Sequence, residues 1–273
     1  MENDRRSTLF RLVRTAAALL LATFAVAADT TALRWDCGAV TDATSGTRGR
    51  VLIMPGVGNT RFHLAGFVER LERQLPNFEI EVRTWGTPFH MIENLQAEER
   101  NVATAAEIAA ELAAWRRIHP EEKLYVVGYS GGGGMVTLVT AALPDDVKID
   151  RLILVAPAIS PDYPLAERVL PHVNELVANF ASALDLQVGW GTRAFGTIDR
   201  KNTMSAGAVG FELTDPKLLQ YVWSADDIPF GHFGNHMSYL NRRWQDAKLM
   251  PTLDPGSSLE QIRARWAQTC KGT

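Results

Sequence analysis

Cysteine is scarce in this chain: two residues in 273, beside six histidines, and none of the eight has metal-ligand spacing. That excludes a structural zinc site built on a Cys/His framework. Strong charge of one sign is also lacking. The net charge is −3 and the isoelectric point is near 6.1, with no basic stripe, so no nucleic-acid partner is expected. No G-x-x-x-x-G-K-[ST] string occurs, and no lysine lies beside the Gly-rich turn at 128–134, which argues against a phosphate-binding loop. Repeats, low-complexity segments and linkers are missing too, so nothing splits off a second domain. Nothing in the sequence implies a metal or an organic cofactor.

The apolar run Thr15–Ala27 is shorter than the roughly 20 residues a membrane span needs. Arg5, Arg6, Arg11 and Arg14 precede or enter it, and Ala25-Val26-Ala27 forms a small-x-small site before Ala28. Residues 1–27 therefore read as a cleavable export signal, with an uncleaved membrane anchor as the alternative. A periplasmic or secreted protein is expected, with residues 28–273 forming one domain. In such a compartment Cys37 and Cys270 could form one disulfide; the other reading is two unrelated thiols.

What is present is concentrated in Gly128-Tyr129-Ser130-Gly131-Gly132, a G-x-S-x-G string. The apolar run Leu124–Val127 precedes it and Met135–Val139 follows it. A buried strand thus feeds a tight turn that opens a helix, the context in which the string marks a nucleophile elbow. Gly128 and Gly132 supply the space that a strained serine turn needs. The plain alternative is a Gly-rich connection from strand to helix.

Around it, short apolar runs near 50–54, 78–84, 151–156, 176–180 and 221–223 predict further strands. Helical spacing appears at Phe62–Leu75, after Asn94 as a candidate cap, near 164–173 and at Leu259–Trp266. Strands alternating with helices imply an α/β fold, a mostly parallel sheet covered on both faces. Ligands then bind at the carboxyl ends of the strands.

A serine needs a base, an acid that orients the base, and oxyanion donors, and in such folds they follow the chain order Ser, Asp or Glu, His. Asp185, in the turn after the fourth of these strands, fits the acid; its other reading is a turn or helix cap. Asp199 is the main rival, with Asp226 and Asp227 behind it. His236 fits the base, at the junction of the loop Gly231–His236 with a short helix; His232 is its rival. His119 and His172 read as surface or core residues, and His90 has no assigned chemistry. The oxyanion donors would be the N–H groups of Gly131 and of Val57, in the loop after the first strand.

With these pieces in order, the chain resembles the α/β-hydrolase superfamily from about Arg50 to Trp244. More narrowly, Met54-Pro-Gly-Val-Gly58, Gly128–Gly134, Ala156–Tyr163 and Gly196-Thr-Ile-Asp199 are similar to a bacterial α/β-hydrolase-like group. The resemblance implies a serine hydrolase acting on a small-molecule acyl substrate through Ser130, His236 and Asp185. Acyl transfer by the same residues, or a silent binding scaffold, are the alternatives. Three departures stand out. Pro55 occupies a place where many relatives carry His, few residues precede the first strand, and the segment from Asp185 to His236 is long and aromatic. The sheet is expected to lack the usual first strand pair, and a large helical cap is not expected. Oligomeric state is not legible.

Overall fold

A computed structural model describes residues 35–36, 47–267 and 271–272. The expected export signal, residues 1–27, and both cysteines lie outside the described residues. Six strands form one parallel sheet: β1 (Gly49–Met54), β2 (Phe78–Val82), β3 (Lys123–Tyr129), β4 (Ile149–Val155), β5 (Val173–Ala181) and β6 (Leu218–Val222). Their spatial order is β2-β1-β3-β4-β5-β6. Every pairing in this sheet is parallel, so among the described residues it has no antiparallel first pair. The segments Trp35–Asp36 and Lys271–Gly272 pair separately as a two-stranded sheet. The six-stranded sheet lies in the unit Cys37–Lys271.

The strands read as unbroken apolar runs because both faces are covered. Leu52, Met54, Leu124, Val126, Leu152 and Leu154 point to one face. They meet α3 (Glu98–Ile118) and α4 (Gly131–Ala141) through Ile108, Leu112, Val136 and Val139. Val51, Ile53, Tyr125, Val127, Ile153 and Val155 point to the other. There they pack with α1 (Ala65–Gln74) and α6 (Leu259–Trp266) through Phe67, Leu71 and Ile262. Strand alternation thus sorts one hydrophobic run into two cores.

Two expectations shift. Asn94 does not cap the long helix. It lies inside the short helix α2 (Met91–Gln96), and Ala97 is the residue before α3. The segment 164–173 is not one helix but a helical turn, Leu165–Arg168, and a 3-10 turn, Leu170–His172. Pro171 at the start of that turn cannot supply the N–H a continuing helix needs.

The order of the sheet locates the site. The chain leaves β1 for β2 on one side, then returns to β3 on the other. The carboxyl ends of β1 and β3 are therefore neighbours from which the chain departs in opposite directions, a switch point where α/β sheets bind ligands. Met54 pairs with Gly128 at that edge. The loop 55–59 and Ser130 emerge side by side.

Candidate active site

Ser130 sits between β3 and α4 at φ 57°, ψ −124°, a left-handed conformation that a side chain disfavours. Its backbone is held from both sides. Its N–H donates to Val155 O at 2.8 Å, and its carbonyl accepts from Gly133 N at 2.9 Å and Ala158 N at 3.0 Å. A Cβ on Gly128 would strike the Gly132 carbonyl, and one on Gly132 would strike the carbonyls of Met54 and Pro55. The elbow can close only because both are glycine.

Those clashes show how tightly the elbow abuts the loop after β1. A Cβ placed on Gly131 would lie 3.1 Å from Val57 N and 3.2 Å from Trp85 Cζ2. The two expected oxyanion donors, Gly131 and Val57, are therefore adjacent. Gly56 faces Ser130 itself: a Cβ there would lie 3.5 Å from Ser130 Oγ.

Asp185 ends the turn after β5 and begins α5 (Leu186–Phe195). Its two carboxylate oxygens serve different partners. Oδ1 caps the helix, accepting from Gln187 N at 3.1 Å and Val188 N at 3.2 Å. Oδ2 meets His236 Nδ1 at 2.6 Å. The carboxylate is 1% exposed and His236 7% exposed, so the pair is screened little by water. The Ser182 hydroxyl donates to Gly234 O at 2.7 Å, tying the acid's turn to the histidine's loop.

Tyr129 joins this pair to the turn at Ser130, a link the sequence reading missed. Its ring stacks on His236 with centroids 4.8 Å apart, and its hydroxyl donates to the His236 carbonyl at 2.9 Å. Burial, and then the Asp185 charge, push the Tyr129 phenol well above its usual range, which keeps that hydroxyl a donor. The residue preceding Ser130 thus seats the imidazole. Tyr129 is the first variable position of G-x-S-x-G, so the motif itself carries no signal for it.

The rivals have other partners. Asp199 accepts from Ser160 N at 3.0 Å and from the Ser160 hydroxyl. Asp226 is exposed beside Ser224. Asp227 is buried, accepts the Tyr221 hydroxyl at 2.5 Å, and has its carboxyl raised by desolvation. His232 is fully buried, with Nδ1 accepting from Gly234 N at 3.0 Å. Its ring is 4.3 Å from Tyr239 and 4.9 Å from Trp244, and desolvation pushes its pKa down to about 3. It stays neutral and packs. His90 pairs with Glu93, His119 stacks on Trp115, and His172 lies 3.2 Å from Val147 O.

The long segment from Asp185 to His236 divides its aromatics. Phe211 joins the core while Trp190 is 61% exposed. Among the described residues, no cluster of His, Cys, Asp and Glu is arranged to hold a metal ion.

A family model described as serine aminopeptidase S33 (Hydrolase_4) matches residues 94–206, which include Ser130 and Asp185 but not His236. No curated protein sequence matches the chain. Among solved structures, a dienelactone hydrolase from Anabaena variabilis is similar at 15% identity and TM-score 0.44, covering 81% of this chain and 96% of that one. MenH from S. aureus is similar at 12% identity and TM-score 0.43, covering 77% and 95%. The RedJ thioesterase from Streptomyces coelicolor is similar at 13% identity and TM-score 0.42, covering 76% and 86%. The six-stranded sheet with its switch point, the elbow at Ser130 and the family match make this chain a protein of the α/β-hydrolase fold.

Proposed function

We propose that the protein is a serine hydrolase that cleaves an ester or related acyl bond. Ser130 Oγ attacks the carbonyl carbon, and His236 takes its proton. Asp185 holds the imidazole with Nδ1–H toward the carboxylate and stabilises its charged form. The N–H groups of Val57 and Gly131 receive the developing oxyanion. His236 then protonates the leaving group, and water attacks the acyl-enzyme with His236 again as base. The observation that carries this reading is the buried Asp185–His236 contact of 2.6 Å, seated by Tyr129 against the elbow.

The surroundings favour an apolar acyl group. Leu184, Leu186 and Trp190 flank Asp185, Phe233 lies three residues before His236, and all four are large, apolar and exposed. A Cβ on Gly234 would lie 2.9 Å from Leu184 Cβ, so the two loops share this apolar rim.

A chain-length series of nitrophenyl esters tests the assignment. Turnover should rise from acetyl toward longer chains in the wild type and fall by about 10⁴-fold or more in Ser130→Ala. Turnover that survives the Ser130→Ala change would reject it. Product analysis with added alcohols and amines separates hydrolysis from acyl transfer. We further propose export through residues 1–27, for which N-terminal sequencing should find Ala28 first.

A further inference from the structure

The loop after β1 is fixed in an unusual way. A peptide unit is planar and trans, so the carbonyl of one residue and the N–H of the next point in opposite directions. Fixing a carbonyl therefore aims the following N–H. Four successive carbonyls of this loop are fixed. Pro55 O accepts the Trp85 indole N–H at 2.7 Å. Gly56 O accepts Asn59 N at 2.8 Å. Val57 O accepts Asn94 Nδ2 at 2.8 Å. Gly58 O accepts Phe89 N at 3.0 Å.

Three of the four donor residues, Trp85, Asn59 and Asn94, are buried, and Phe89 is exposed. Asn94 is fully buried, and its Oδ1 accepts Thr87 N at 2.9 Å while Nδ2 also reaches Thr87 O at 2.7 Å. Asn101, on α3, donates to the Asn94 carbonyl at 2.8 Å and so anchors the short helix α2. Asn59, buried at φ 52°, accepts Trp85 N at 2.8 Å and donates to Gly86 O. These side chains hold the loop 55–59 and the loop 85–90 as one piece. The carbonyl of the Gly56–Val57 peptide faces Asn59, so the Val57 N–H faces the other way, toward Gly131. Among the described residues, that N–H donates no backbone hydrogen bond.

We infer that Asn94, with Trp85 and Asn59, is a positioning clamp that aims the Val57 N–H into the oxyanion hole. The inference rests on the serine-hydrolase reading of the site. A donor of this kind contributes only if it is already aimed when charge develops. The loop is neither helix nor strand, so side chains must supply the rigidity that a ladder would give elsewhere. Asn94 touches no reacting atom in this account. Its bond to Val57 O fixes the following Val57–Gly58 peptide, and its effect reaches the Gly56–Val57 peptide, held by Asn59 N, through the loop it holds.

The experiment measures nitrophenyl-ester kinetics and inhibition by an alkyl trifluoromethyl ketone, whose serine adduct carries an oxyanion. Wild type is compared with Asn94→Ala, Trp85→Phe and Leu112→Ala. Leu112→Ala opens the core of α3 away from the loop and serves as the destabilised control. Asn94→Ala should lower kcat by about 10- to 100-fold, leave KM within about twofold, and weaken the ketone by the same factor as kcat. Trp85→Phe removes the N–H to Pro55 O together with part of the buried ring, is compared with Leu112→Ala at equal loss of stability, and should show the same pattern at about 3- to 10-fold. It carries the test if Asn94→Ala fails to fold. Leu112→Ala should lose thermal stability and keep its kcat. Unchanged kcat and ketone affinity in the folded variants overturn the clamp, and so does a kcat loss that Leu112→Ala matches at equal loss of stability. In these cases turnover that still requires Ser130 leaves the hydrolase reading standing. Turnover indifferent to Ser130→Ala overturns both.

Discussion

The two ends of the sheet are built from different materials. At the amino end, charges saturate one another. Arg116 meets Asp150 at 2.7 Å, Arg151 meets Glu175 at 2.6 Å, and Lys123 reaches both carboxylates. Asp150 also accepts Leu124 N at 2.8 Å, and Arg151 donates to the carbonyls of Thr252 and Asp254 at 2.9 and 2.8 Å. A cleft of about 350 Å³ opens there, lined by Arg116, Lys123, Asp146 and Asp150, side chains already paired with protein partners. At the carboxyl end some polar groups are left open. Ser130 is strained, the Val57 N–H has no backbone acceptor among the described residues, and one buried carboxylate faces one imidazole. A group whose partners are all protein has nothing left to offer a substrate. With the proposed function, the difference gives stability to one end and chemistry to the other.

Four substitutions sharpen or break that contrast. The largest effect should come from Asp185→Asn. Asparagine caps a helix about as well as aspartate, so the Oδ1 contacts to Gln187 and Val188 should survive. The imidazole would lose its carboxylate, and turnover should fall by about 10³- to 10⁴-fold with little change in Tm. A large drop in Tm with modest loss of turnover would mean that the cap is the residue's main role.

At the opposite end the signs should reverse. Asp150→Ala leaves Arg116 unpaired and should cost about 3 kcal/mol, a fall in Tm of roughly 6–12 °C, with kcat unchanged in the folded enzyme. A kcat loss at 25 °C would erase the division between the two ends. Next comes Tyr129→Phe, which keeps the ring on His236 and removes the hydroxyl that holds its carbonyl. We expect about a 3- to 10-fold loss in kcat, near 1 kcal/mol, read by steady-state kinetics.

The smallest effect is silent at neutral pH. The folded protein holds His232 neutral down to about pH 3, whereas an unfolded chain protonates it near 6.5. Between these values the unfolded state binds more protons, so stability falls as pH drops from about 6.5 toward 3. Asn at 232 keeps an acceptor for the Gly234 N–H and does not titrate. Urea midpoints of His232→Asn should therefore fall less steeply with pH than those of the wild type over this window. Parallel slopes would show that His232 does not set the acid response.

How much of this was legible in the sequence follows from which signals are local. The elbow was visible because the strand, the glycines and the helix are contiguous around Ser130. Alternating strands and helices gave a parallel sheet, and Asp185 and His236 follow from chain order. What was not legible is tertiary. Asn94 precedes a helix in sequence and so read as its cap, yet its side chain goes to Val57 and Thr87, fixed by the packing of α2 on the loop after β1. Tyr129 read only as the variable residue of the G-x-S-x-G turn, because nothing local announces a ring stacked on a residue more than a hundred positions away. His232 and His236 share one Gly-rich loop and look alike in sequence. The fold gives one of them a carboxylate and the other a shell of aromatic rings.

The most direct measurement of the central claim is the position and number of fluorophosphonate adducts on the folded protein, read by intact mass and peptide mapping. The account predicts one phosphonyl group per chain, on the peptide carrying Ser130, absent from Ser130→Ala and formed far more slowly in Asp185→Asn. An unmodified wild-type chain, or an adduct on another residue, would contradict it.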